Sequence, residues 1–152
     1  HTVQAYISAL MESYFFYDIK RFDIKGKEYL RTLGKFYVVD MGLRNYLLGF
    51  RNRDSGHAIE NVVYFELLRR GGEVYAGRSQ QGEVDFVVHK PNGFVEYYQV
   101  AYTVNDEKTL KRELSSLEKI KDSYPKYLLT TDFDNVNYNG IQKINILDWL
   151  LT

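Results

Sequence analysis

One hundred and fifty-two residues, 45% hydrophobic and 26% charged, describe one ordinary domain able to bury a core. They exclude a disordered chain and leave no room for an ATPase core with anything attached. Twenty Lys+Arg balance twenty Asp+Glu, which excludes a uniformly basic nucleic-acid-coating protein but not a local basic patch. The absence of cysteine excludes a disulfide framework, a zinc finger, an iron–sulfur site and a cysteine nucleophile. No apolar run approaches the roughly 20 residues that span a bilayer, so the expected setting is cytoplasmic, with no membrane partner. The chain opens on His1 rather than methionine and reads as a piece of a longer protein.

In chain order, Val3, Tyr6, Ile7, Leu10 and Met11 fall at helical spacing after Thr2, a cap residue, and predict a short amphipathic helix. A hairpin follows: the aromatic stretch 14–22, a turn at Asp23-Ile24-Lys25-Gly26-Lys27, and a return strand at 35–39. A helix before a basic hairpin is how a winged-helix module ends. Lys20, Arg21, Lys25, Lys27, Arg31 and Lys35 then become the residues that would contact nucleic-acid phosphates, the plainer reading being a solvated hairpin with charged edges. Residues 1–53 hold nine Lys+Arg against five Asp+Glu, a net +4 that the remainder cancels.

Asp40 to Gly49 reads as a turn into a short helix, and the polar loop 51–56 divides the chain into a 1–53 segment and a 54–152 domain. The spacing then predicts a helix over 57–70 stopped by Gly71-Gly72, strands at 73–76, 83–89 and 94–102, and a helix over 106–123. That second helix has Asn105 as its cap, Leu110, Leu114, Leu117, Ile120 and Tyr124 on one face, and Pro125 as its stop. A strand at 126–130, a polar loop, a short strand at 144–146 and a last helical turn at 147–151 complete the order. The fold class is α/β, with an αβββαβ core and a mixed sheet, an order shared by few folds.

The turn Lys90-Pro91-Asn92-Gly93 suits a three-residue hairpin loop with Gly93 in the left-handed position. Lys90 then pairs with Phe94, His89 with Val95, Val87 with Tyr97, and Asp85 with Gln99. Directly opposed residues share a face, so Asp85 and Gln99 are expected side by side, with Glu83 and Ala101 next along it. Glu60 lies on the apolar side of its helix with Val63, Tyr64 and Leu67, where a carboxylate needs a partner, whereas Glu66 points about 90° away and is more easily solvated. Glu60, Asp85 and Gln99 converging would form a set of hard oxygen ligands suited to magnesium or manganese. His57 and His89 stand alone and read as structural, and Tyr97, Tyr98 and Tyr102 as sheet packing rather than base-stacking.

Three motifs, Ile59-Glu60-Asn61-Val62-Val63-Tyr64-Phe65-Glu66-Leu67, Gly82-Glu83-Val84-Asp85-Phe86-Val87 and Tyr98-Gln99-Val100-Ala101-Tyr102, occur in this order. With Thr109-Leu110-Lys111-Arg112-Glu113 and the stretch from Ile120 to Tyr127, the second piece resembles the C-terminal domain of unknown function of bacterial and archaeal AAA-type ATPases. That family is a member of the PD-(D/E)xK, restriction-endonuclease-like superfamily. The stretches from Tyr17 to Lys27 and from Lys35 to Arg44 are similar to the segment that links the ATPase to it. The resemblance implies Glu60 as the helix acid, Asp85 as the metal-holding Asp, and Gln99 at the position of the third-motif acid. The lysine that orients the attacking water would stand where this chain has Ala101, which can polarise nothing.

With two of four such residues replaced, the resemblance implies a degenerate nuclease fold that binds nucleic acid or a partner protein without cutting. The alternative is an active magnesium-dependent DNA endonuclease whose lysine has migrated, with Lys108 and Lys111 as substitutes. A third reading, a protein-interaction or self-association module, follows from the neutral charge and the abundant tyrosine. The family context implies ATP only in an upstream domain, since no P-loop motif occurs here. The implied partners are DNA and the chain's own ATPase domain.

Overall fold

The computed structural model describes residues 2–49, 55–79 and 82–152, the backbone alone at 31–33 and 79. Residues 51–54 of the expected dividing loop and the Arg31 side chain therefore lie outside the described residues, and Ser55 and Gly56 of that loop are instead the first residues of a helix. The elements are α1 (Thr2–Glu12), β1 (Phe16–Asp23), β2 (Glu28–Val38), α2 (Met41–Leu48), α3 (Ser55–Arg69), β3 (Glu73–Ser79), β4 (Gly82–His89), β5 (Val95–Val100), α4 (Glu107–Glu118), β6 (Lys126–Thr130), β7 (Val136–Tyr138), β8 (Ile141–Asn145) and α5 (Ile146–Leu150). All eight strands join one sheet in the order β2-β1-β3-β4-β5-β6-β8-β7. The sheet is mixed, parallel at β1–β3, β5–β6 and β6–β8 and antiparallel elsewhere. The fold is thus mixed α/β. No helix among the described residues is long and apolar enough to cross a membrane.

The first hairpin belongs to that sheet: Arg21, Phe22 and Asp23 of β1 lie in register with Ala76, Gly77 and Arg78 of β3. Core side chains fall into two layers. Val63, Tyr64 and Leu67 of α3 pack on Phe86, Val88, Tyr98 and Val100 on one face, and Leu114 and Leu117 of α4 pack on Val84, Val87, Tyr97 and Ala101 on the other. With both faces covered, β4 and β5 are nearly continuous apolar runs. Helices α1 and α2 bury no residue at all and expose Val3, Tyr6, Tyr46, Leu47 and Leu48.

Several boundaries differ from expectation. Thr2 is the first helical residue of α1 rather than its cap. The cap of α4 is Asp106, whose carboxylate accepts from the Thr109 N–H, and not Asn105. That helix closes at Glu118 with Lys119 as its C-cap, short of the expected 123, and Pro125 keeps Tyr124 outside it. The polar loop before the last strand contains β7, and β8 begins at Ile141 because Tyr138-Asn139-Gly140 turns the chain, Asn139 and Gly140 both at positive φ.

Candidate functional site

The turn after β4 forms as its residue types require. Lys90 donates its N–H to the Phe94 carbonyl at 2.9 Å, and Gly93, at φ 80°, takes the left-handed position that a side chain would strain. Val87 pairs with Tyr97 and His89 with Val95, as the count from that turn predicts. The ladder stops at Phe86–Tyr98. On the other edge, Tyr75 and Gly77 of β3 pair with Val87 and Val84, so Asp85 and Phe86 together oppose Ala76. This is a β-bulge, and it re-aims the bulged side chain.

The expected side-by-side arrangement of Asp85 and Gln99 is therefore corrected. Asp85 turns to the α3 side, where the Lys35 ammonium meets it, while Gln99 keeps its alternation and points to α4. Side chains replace the missing ladder: the Val100 N–H donates to Asp85 Oδ2 at 2.9 Å and the Asp85 N–H to Gln99 Oε1 at 3.3 Å. Ala101, the position where the resemblance looks for a lysine, is buried in the α4-side cluster with Leu114 and Leu117.

On the α3 side, Lys35 Nζ donates to Glu60 Oε1 at 3.0 Å and stands 3.4 Å from Asp85 Oδ1. Tyr37, two residues along β2 and therefore on the same strand face, donates its hydroxyl to Glu60 Oε1 at 2.6 Å. The Tyr37 ring stacks on Tyr64 of α3 at 4.2 Å. Asn61 fastens the same strand by accepting from the Val38 N–H at 2.9 Å and donating to its carbonyl at 2.7 Å. On the α4 side, Gln99 donates to the buried Glu113 at 2.9 Å and accepts from the Ser116 hydroxyl. Arg112 closes on the other oxygen of Glu113 at 3.0 Å. No buried side-chain nitrogen or oxygen among the described residues lacks a partner.

Lys35 was expected on a phosphate-contacting wing and lies instead between two acids. Lys20, Lys25 and Lys27 are exposed on the hairpin, and Arg21 is ion-paired with Glu83. The suggested substitutes do not reach the centre: Lys111 pairs with Glu107 on the outer face of α4, and Lys108 is exposed. Glu66 is not solvated; Arg69 and Arg70 hydrogen-bond it and hold its carboxyl down to about 2. Glu113 was not singled out from the sequence, although an acid closing the Lys111-Arg112-Glu113 run, one turn from Leu110 and Leu117, is the signal that could have found it.

A magnesium site built from Glu60, Asp85 and Gln99 does not fit this arrangement. Gln99 presents its carbonyl on the opposite side of the sheet from Glu60, and the cation between the two acids is the chain's own Lys35. Burial, reinforced by Glu60 and Glu113 and opposed by Lys35 and the Val100 N–H, pushes the Asp85 carboxyl up to about 6. Burial works against a charged Lys35, but Asp85 and Glu60 outweigh it and raise its pKa. An acid whose folded-state pKa stands above its unfolded value contributes most stability when protonated; its contribution is lost as pH rises from about 4 through about 6. The difference in urea midpoint between wild type and Asp85→Asn should therefore shift across that window and be flat above pH 7. A difference that is constant from pH 4 to 7 would refute the assignment.

Residues 1–54 match the family described as Domain of unknown function (DUF8612). That segment carries Lys35 and Tyr37, whereas Glu60 and Asp85 lie beyond it, so the centre joins both sides of the matched boundary. The chain is 37% identical over 152 residues to an uncharacterized protein of Haemophilus influenzae, covering 99% of this chain and 37% of that protein. It is 32% identical over 155 residues to an uncharacterized protein of Methanocaldococcus jannaschii, covering 94% and 32%. The chain thus spans about a third of the length of the curated relatives it matches. No solved structure matches it.

Proposed function

We propose that this domain is a restriction-endonuclease-like module that binds DNA without cutting it, within a longer AAA-type ATPase chain. The observation that carries the reading is the Lys35 ammonium between Glu60 and Asp85, 3.0 and 3.4 Å away. A fixed internal cation does there what a metal ion would otherwise do, neutralise two neighbouring carboxylates, and it brings no activated water. The exposed Lys20, Lys25 and Lys27 supply phosphate contacts on the same hairpin that delivers Lys35.

Two measurements test this. The protein should leave supercoiled plasmid intact in magnesium or manganese, and its DNA affinity should fall with salt with a log–log slope of about −3, each of Lys20, Lys25 and Lys27 changed to Gln reducing that slope by about 1. DNA binding that is absent or indifferent to salt would end the reading. The second reading, a metal-dependent endonuclease, is favoured by one feature: Lys35 is a lysine within reach of both acids, contributed by a different strand. It requires nicking that Asp85→Ala and Lys35→Ala both abolish and that Lys108→Ala and Lys111→Ala leave unchanged.

A further inference from the structure

Helices α1 and α2 turn their apolar residues outward. In α2, Leu43, Tyr46 and Leu47 recur at helical spacing, the pattern that in a surface helix marks the stripe facing the core. Here they are exposed, Tyr46 at 85% and Leu47 at 66%, while Arg44 and Asn45 are half-buried. In α1 the stripe Val3, Tyr6, Ile7 and Leu10 is only partly covered, with Val3 71% and Tyr6 68% exposed. Across the 11 residues of α1 and the 8 of α2, Glu12 and Arg44 alone carry a charge. Solvated helices are normally laced with charge on the face that meets water, so this outward face has the chemistry of an interior.

Both helices leave the same end of the first hairpin. Phe16 pairs there with Val38, the Phe15 N–H donates to the Leu10 carbonyl at 2.9 Å, and the Val39 N–H donates to the Phe15 carbonyl at 3.1 Å. Tyr14, just past α1, and Val39, just before α2, are exposed at this junction, so one partner can reach both helices. Obligate interfaces are more apolar than transient ones and are depleted of charge at their centre, which points to a companion that is always present. The matches cover 37% and 32% of the two relatives, so about two thirds of each lies outside the region that this chain represents. A domain on the same polypeptide is held at an effective concentration on the order of millimolar. Both helices also lie inside residues 1–54, the segment that matches a family model of its own.

We infer that the outward faces of α1 and α2 together seat an apolar, weakly charged surface of another domain of the same, longer polypeptide. The inference rests on the longer chain of the proposed function and not on its DNA binding.

Thiol labelling of the full-length protein tests it, because residues 1–152 hold no cysteine and an introduced thiol can be followed by peptide mass. Val3→Cys and Leu47→Cys place one probe on each helix, and cysteine, a small apolar side chain, keeps the face uncharged. Both should react at least about tenfold more slowly than Lys121→Cys, at an exposed position past α4, since a thiol under an interface reacts only when that interface opens. Tyr46→Asp, which puts a charge on α2, should raise the rate of Val3→Cys on α1 toward that of Lys121→Cys. Equal rates at all three positions would overturn the inference, and so would protection of Val3→Cys that Tyr46→Asp leaves untouched. Protection that is lost on dilution of the protein at constant reagent would place a second copy on the face and overturn it as well. The labelling is read without nucleic acid, so each of these failures leaves the DNA-binding reading standing.

Discussion

Replacing Lys35 by methionine is expected to destabilise the fold by about 3 kcal/mol, lowering the melting temperature by roughly 6–12 °C. Methionine keeps most of the aliphatic stem and removes the charge. Glu60 and Asp85, their side chains only 13% and 14% exposed, then face each other with the Tyr37 hydroxyl and the Val100 N–H as their remaining donors. Leaving a buried charge unpaired costs about 3–5 kcal/mol; the 28% exposure of the Lys35 side chain lets water reach the pair and favours the lower figure. In wild type the contribution of Lys35 is fully present below its ordinary pKa of 10.5 and is lost only as pH rises through its raised folded value. The triple variant Lys35→Met, Glu60→Gln, Asp85→Asn should recover most of the loss, because it removes the charges together. Urea unfolding with an unchanged m-value is the measurement. A Lys35→Met variant within about 0.5 kcal/mol of wild type, the scatter of ordinary surface changes, would show that the ammonium does not hold the acids.

What could be read beforehand and what could not follows from the range of each signal. The turn Lys90-Pro91-Asn92-Gly93 sets the β4–β5 register locally, so Val87–Tyr97 and His89–Val95 were legible from the residue types. The apolar side of α3 was legible because Val63, Tyr64 and Leu67 recur at helical spacing, and Glu60 sits on that side. The bulge at Asp85–Phe86 was not. Val84, Phe86, Val87 and Val88 are all buried, from both faces, so apolar alternation carries no trace of one inserted residue. Nothing local distinguishes Lys35 from the other hairpin lysines expected to contact phosphates. Its partners lie 25 and 50 residues away, and only the bend of the first hairpin brings them together. A weak hint existed in Lys35 and Tyr37, two side chains with apolar bodies and polar tips on one face of a strand, the arrangement that reaches over a core toward a buried acid.

That bend rests on Gly34, and Gly34→Ala should cost about 3 kcal/mol. Between Ile19–Lys35 and Arg21–Leu30, two steps along β1 correspond to five along β2, so the hairpin changes direction there. A Cβ at Gly34 would lie 2.2 Å from the Asp18 carboxylate and 2.2 Å from the Ile19 carbonyl oxygen. Asp18 is exposed and can swing away, but the carbonyl is main chain, and Ile19 is 1% exposed in the α3-side core. Relief therefore requires the strands to part at the residue before Lys35, and the ammonium is carried away from Glu60 and Asp85 with them. Stability and the centre should fail together: Gly34→Ala should lower the urea midpoint and also move the Asp85 titration, read by carboxyl NMR, whereas a purely local clash would change the first alone. Gly56→Ala is the matched control, since a Cβ there meets nothing within 4 Å in the first turn of α3, and a helical glycine replaced by alanine gains roughly 0.5–1 kcal/mol. A Gly34→Ala protein as stable as wild type would mean that β2 can deliver Lys35 without the bend.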